Sequence, residues 1–100
     1  MAFSYSDENF TVVGNLCFVH ILLDGTKTLY NIPSAIADRM LFNDFVCAYA
    51  YYDENEPTSS YFVVSATANI SFAVTRGDKI LCKDAGKGYL SFYFPIDSNK

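Results

Sequence analysis

The fold class this sequence predicts is an antiparallel β-sandwich or jelly roll of about seven to eight strands. Three observations predict it. Short runs rich in Val, Ile, Phe, Tyr and Thr recur along the chain. Turn signals separate them about every ten residues. No segment carries a helical apolar period long enough to hold a helix on its own. The length suits one domain over residues 1–100, with no linker and no repeat.

Residues 4–9 (SYSDEN) are a polar lead-in, and residues 10–13 (FTVV) are a short β-prone run. Gly14-Asn15 is a hairpin signal. Residues 16–23 (LCFVHILL) form the next strand, with Leu16, Phe18, His20 and Leu22 on one face and Cys17, Val19, Ile21 and Leu23 on the other. Both faces are apolar, so cover is expected on both sides, and another subunit is an available second cover. Asp24-Gly25 is a turn, residues 28–32 a strand, and Ile32-Pro33 its stop. Residues 33–41 (PSAIADRML) are the one place for a helical turn, too short for an independent helix. Residues 42–52 (FNDFVCAYAYY) return to strand, with Phe45, Cys47, Tyr49 and Tyr51 on one face and Val46, Ala48, Ala50 and Tyr52 on the other.

Residues 53–60 (DENEPTSS) combine charge, Pro and Ser and read as a loop. Residues 61–66 and 68–75 are two strands, the second turning Ile70, Phe72 and Val74 to the core. Arg76-Gly77-Asp78 is a turn, 79–82 a short strand, and 83–88 (KDAGKG) a flexible loop. In the last strand, 89–96 (YLSFYFPI), Leu90, Phe92, Phe94 and Ile96 face in while Tyr89, Ser91 and Tyr93 face out. Pro95 marks an edge position or the strand's end. The tail, 97–100, is expected to fray.

A chain this short has marginal stability unless disulfides, a metal or a partner supplement its core. Apolar residues make up 51% and charged residues 18%, against about 45–50% and about 25% in typical domains. Nine Phe and eight Tyr exceed what one small core needs. A subunit interface absorbs such residues, so a homo-oligomer is expected. The formal charge is −4, and Lys27, Arg39, Arg76, Lys79, Lys83, Lys87 and Lys100 are scattered. They form no stripe that would neutralise a row of phosphates, which disfavours nucleic acid. Cys17, Cys47 and Cys82 are odd in number and form no Cys-x-x-Cys, so reduced thiols and synthesis in a cytoplasm are expected. The first ten residues lack the basic start and apolar core of a secretory signal. No apolar run reaches the length of a membrane span.

The pieces 10–15 (FTVVGN), 16–21, Ile32-Pro33, 68–77 (ANISFAVTRG) and 89–96 (YLSFYFPI) follow a definite order. That order resembles the C-terminal domains of bacteriophage fibres and receptor-binding proteins. The likeness covers most of the chain. It implies a small β-sandwich that forms trimers and projects from the virion. Some such domains bind host-surface glycans; others decorate a capsid or cap a shaft. Family domains usually follow a long shaft, which is missing from this sequence. An excised domain and a small free-standing virion protein both stay open.

The candidate chemistry is quiet. His20 lies mid-strand among apolar residues and reads as a packed imidazole with one hydrogen bond. A Cys–His nucleophile needs a cysteine beside it and a third, orienting group. Cys17 falls on the opposite face of the same strand, and Cys47 approaches only through sheet pairing. No catalytic residue is assigned and no enzyme activity is expected. The acidic clusters at Asp7-Glu8 and Asp53-Glu54-Asn55-Glu56 lack EF-hand spacing and its glycine, so neither metal nor cofactor is expected. No carboxylate pair suggests a sugar-cleaving cleft. The Asn-x-Ser/Thr triplets at Asn9 and Asn69 mean little without a secretory signal, and Gly86-Lys87-Gly88 is too short for a phosphate loop. Arg76-Gly77-Asp78 is a plain hairpin turn.

Tyrosine offers a flat apolar face and a hydroxyl, which suits sugar stacking and protein contacts alike. Tyr49, Tyr51, Tyr52, Tyr61, Tyr89 and Tyr93 are therefore the best binding candidates. Buried tyrosines, a subunit interface and a glycan site all stay open for them. The ligand-binding candidates are Tyr49, Tyr51, Tyr52, Tyr61, Asp53 and Glu54, with Lys83 and Lys87 from the second loop. Phe18, His20, Tyr89 and Tyr93 are the subunit-contact candidates. With the resemblance, these imply a homotrimeric virion protein, made in the host cytoplasm, beside other virion proteins. It would attach to host-surface carbohydrate through several weak sites. The alternative is a purely structural capsid or tail decoration with no host ligand. An enzyme or a cellular interaction module is the third reading.

Overall fold

Alternation organises the first hairpin. β1 (Phe10–Val13) and β2 (Leu16–Leu23) pair antiparallel, with Val13 opposite Leu16. Gly14 turns between them at φ +60°, a conformation that glycine adopts without a Cβ clash. In β2 burial alternates residue by residue: Cys17, Val19, Ile21 and Leu23 are buried, and Leu16, Phe18, His20 and Leu22 are exposed. The computed structural model describes residues 2–42, 44–49, 58–65, 67–86 and 88–100. For 47–49, 58, 59 and 76 it describes the backbone alone.

The remaining elements are β3 (Leu29–Asn31), the single helical turn α1 (Ser34–Ala37), β4 (Phe45–Tyr49), β5 (Thr58–Ser65), β6 (Asn69–Arg76), β7 (Lys79–Leu81) and β8 (Gly88–Pro95). They form two antiparallel sheets. One has the order β1-β2-β8. The other has the order β3-β6-β5-β4, with β7 also on β6. β5 runs along the whole of β6, so β3 and β7 share its other edge end to end. This is the sandwich that the sequence predicts.

The inner faces meet in one apolar core. Val19, Ile21, Phe94 and Ile96 come from the first sheet and its exit, and Phe62, Val64, Ile70 and Phe72 from the second. Phenylalanine rings interlock between the sheets, with Phe62 and Phe92 centroids 4.4 Å apart and Phe45 meeting Phe92 edge-on at 6.5 Å. α1 contributes Ile36, fully buried in that core. Full burial of such a side chain stabilises the fold by about 1.5–3 kcal/mol.

Described residues of three segments expected to be loose are tied down. Of the loop expected over residues 53–60, residues 53–57 lie outside the described residues, and Thr58, Ser59 and Ser60 are strand, paired with Arg76, Thr75 and Val74. The KDAGKG segment is anchored by Asp84, which is fully buried. One of its carboxylate oxygens accepts the amides of Gly25 (2.6 Å) and Gly86 (2.7 Å), and the other accepts that of Lys27 (3.3 Å). The tail does not fray at Ser98, which is 3% exposed. Its hydroxyl donates to the Gly14 carbonyl, its amide donates to Asn15 Oδ1, and its carbonyl accepts the Phe3 amide. Asp84 and Ser98 are thus held by hydrogen bonds to residues distant in sequence.

The polar lead-in is ordered too. Asp7 Oδ1 accepts the amides of Asn9 and Phe10 at 2.8 and 2.7 Å. The Val12 amide donates to the Tyr5 carbonyl, and the Asp7 amide donates to that of Phe10. Residues 5–7 therefore lie along the outer edge of β1.

Candidate functional site: the aromatic face of β2 and β8

The register of β2 on β8 sets Phe18 opposite Tyr93, His20 opposite Ser91 and Leu22 opposite Tyr89. All six side chains point away from the core. Tyr89 and Tyr93 are 63% and 62% exposed, Leu22 50% and Phe18 42%. Val13 and Leu16 extend the apolar surface towards β1. No Lys, Arg, Asp or Glu lies on the face that these strands present.

The aromatic side chains support one another. The His20 ring stacks on Tyr89, nearly parallel, with centroids 4.4 Å apart. Phe18 and Tyr93 form a tilted pair at 5.6 Å. Between the two pairs, His20 Nδ1 and Ser91 Oγ share a hydrogen bond of 2.6 Å. Phe18, Val19, His20, Ser91, Phe92 and Tyr93 line an open hollow of about 330 Å³ there.

His20 keeps the single hydrogen bond expected of it, but on an exposed face and not packed in the core. A serine beside a histidine is also part of a nucleophilic site, which further needs a group to orient the ring and donors for an oxyanion. Among the described residues, Ser91 is the one hydrogen-bond partner of the His20 ring. Cys17 lies on the other side of the sheet. Burial, and secondarily the charge of Asp7, push its thiol up to about 12. The thiolate is the reactive form, so Cys17 acts as a small hydrophobe. What the face offers is apolar contact, ring stacking and the hydrogen-bonding groups of His20, Ser91, Tyr89 and Tyr93.

The four residues expected at a subunit contact, Phe18, His20, Tyr89 and Tyr93, thus come together. The ligand-binding candidates do not form a described site. Tyr51, Tyr52, Asp53, Glu54 and Lys87 lie outside the described residues, as does the side chain of Tyr49. Tyr61 is half-buried in β5, between Ala48 and Ala73 of the flanking strands. Lys83 is half-buried just after β7, its amide bonded to the Leu81 carbonyl. Leu22 and Ser91 are strand-face residues by alternation, and no feature of their own stretch of sequence marks them for a site. The signal for them is the β2–β8 register, a long-range pairing that alternation within one strand does not carry.

Among the described residues, no group of three or more His, Cys, Asp or Glu is placed to hold a metal ion. Among them, too, no helix is long and apolar enough to cross a membrane. Comparison with protein-family models, with curated proteins and with solved structures gives no match.

Proposed function

We propose that this chain is a non-catalytic assembly module of the virion fibre or receptor-binding type, which works by associating with copies of itself through the outer face of β2 and β8. The observation that carries this reading is the exposed aromatic cluster of Phe18, His20, Tyr89 and Tyr93. A buried aromatic side chain removes about 150–250 Å² from water. The exposed shares of Phe18, Tyr89 and Tyr93 alone therefore leave on the order of 300 Å² uncovered. Val13, Leu16 and Leu22 enlarge that patch towards the upper end of the roughly 300–600 Å² that the largest patch of a monomer reaches, a size that is often functional. Patches rich in Tyr and Phe and poor in charge mark protein contacts.

The virion setting, the trimer and the host-surface carbohydrate come with the resemblance. The face by itself sets no number of copies. Light scattering behind a sizing column tests the reading. A mass of two or more chains is expected, falling to one chain in Phe18→Ser/Leu22→Ser with the strand signal in circular dichroism unchanged. A monomer at the highest soluble concentration overturns it. Binding to purified host wall glycan separates a receptor-binding protein from a decoration protein.

A further inference from the structure

The β1-β2-β8 sheet has two edges, and they are treated differently. The β1 edge is covered. Val12 donates to Tyr5, Asp7 donates to Phe10, and Ser6 bridges Thr11. Among the described residues, the β8 edge is capped only past its end, where Met40 bridges Ile96 and the Asp97 amide donates to the Arg39 carbonyl. The hydrogen-bond phase shows which groups remain. The His20 amide donates to Asn9, towards β1. Val19 and Ile21 therefore turn their backbone groups to β8, where Phe92 and Leu90 answer them. Tyr89, Ser91 and Tyr93 must then turn theirs outward. The Ile96 amide, bonded inward to Asn15, and the outward Asp97 amide follow the same phase. Among the described residues, the outward amides of Tyr89, Ser91 and Tyr93 have no acceptor.

Exposed edges are normally blunted by charge, by a bulge or by proline. β8 pairs with β2 over eight consecutive residues without a bulge, and it carries no charged side chain. Its proline, Pro95, is the last residue of the strand, beside the Met40 cap.

We propose that β8 is a seam for a second copy of this chain, two β8 strands pairing antiparallel about a two-fold axis at Ser91. The axis sets Ser91 against the partner's Ser91 and Tyr89 against the partner's Tyr93. Each of these pairs exchanges two backbone hydrogen bonds, so about six bonds use the outward groups of all three residues. Two three-stranded sheets become one continuous sheet. An uncharged edge admits this occupant. The chain carries −4 overall, yet a copy meeting its like along β8 brings no like charges together. The seam adds an edge contact to the face contact proposed above and rests on the same reading, self-association.

Hydrogen exchange of the full chain, followed residue by residue against concentration, tests it. The amides of Tyr89, Ser91 and Tyr93 are expected to exchange fast when dilute and to slow at least tenfold as the mass rises to two chains. In a Cys47→Ser/Cys82→Ser background, Ser91→Cys is expected to oxidise to a disulfide-linked dimer. The paired Cα atoms would stand about 5.5 Å apart, inside the disulfide range of about 4.4–6.8 Å. Ile80→Cys, exposed on β7 of the other sheet and in neither proposed contact, serves as the collision control and should link far more slowly. A mass that rises while these three amides stay fast overturns the seam and leaves the face contact standing. Equal linking of Ser91→Cys and Ile80→Cys also overturns it. A monomer throughout overturns both readings.

Discussion

Asp84 shows how much a single side chain holds. It is fully buried and accepts three amides from two separate turns. Asp84→Ala leaves those donors unpaired, and a lost buried partner costs about 1–3 kcal/mol or more when it is charged. A loss on the order of 3 kcal/mol is expected in a urea titration. Asp7 links stability to pH. Burial works against its charge, but the amides of Asn9 and Phe10 and the Tyr5 hydroxyl outweigh it and hold its carboxyl below the ordinary aspartate value. A carboxyl lowered in the folded state adds stability above its unfolded pKa, about 3.9. That contribution is lost as pH falls through the lower, folded value. Thermal melts from pH 6 downward should show the fall beginning near pH 4, and Asp7→Asn should flatten it. Cysteines divide by burial. A thiol reagent followed by peptide mapping should label exposed Cys82 in the folded chain and reach Cys17 only on unfolding. The burial of Cys17 was legible from its place in an alternating run. The role of Asp84 was not, because its partner Gly25 lies 59 residues away and KDAGKG has the composition of a solvated loop.

At the scale of elements, β2 was legible to the residue because apolar side chains occupy every inward position between two glycine turns. β8 was legible to within one residue for a similar reason. The β5–β6 turn gave less, since it has neither Gly nor Pro. The Ala68 amide closes it on the Ser65 carbonyl at 3.0 Å, and Ala68 itself takes φ +70°. That region costs a non-glycine residue about 1–2 kcal/mol. Ala68→Gly relieves this strain but adds freedom to the unfolded chain, about 0.5–1 kcal/mol. A net gain of up to about 1 kcal/mol is expected, read as a higher melting temperature. The outcome would be opposite at Gly86, where φ is +71° and an added Cβ would stand 3.3 Å from the Gly25 amide nitrogen. There Gly86→Ala strains the backbone and crowds the clamp that Asp84 makes. Turn chemistry thus locates most strand ends, but the pairing of distant strands, and with it the His20–Ser91 contact, depends on tertiary register.

For the whole molecule, shape and charge bear on how copies meet. The radius of gyration is 14.5 Å, against about 13 Å for a compact domain of this length. A chain so extended leaves more surface per residue, consistent with the aromatic face left outside its core. The face was half legible. The excess of Phe and Tyr pointed to an outer contact, and strand alternation named Phe18, His20, Tyr89 and Tyr93. Composition alone did not separate them from the loop set of Asp53, Glu54, Lys83 and Lys87. Salt separates the two. Each copy carries −4, and the β2–β8 face carries none of that charge. Association through this face works against general repulsion and gains nothing from ion pairs. Screening shortens from about 30 Å at 0.01 M salt to about 8 Å at 0.15 M, so added salt removes the repulsion and leaves the apolar contact intact. Sedimentation at low and at physiological ionic strength should therefore show association tightening several-fold as salt rises. Weakening over the same range would mean that oppositely charged groups make the contact, and would move the interface from the sheet to the charged loops.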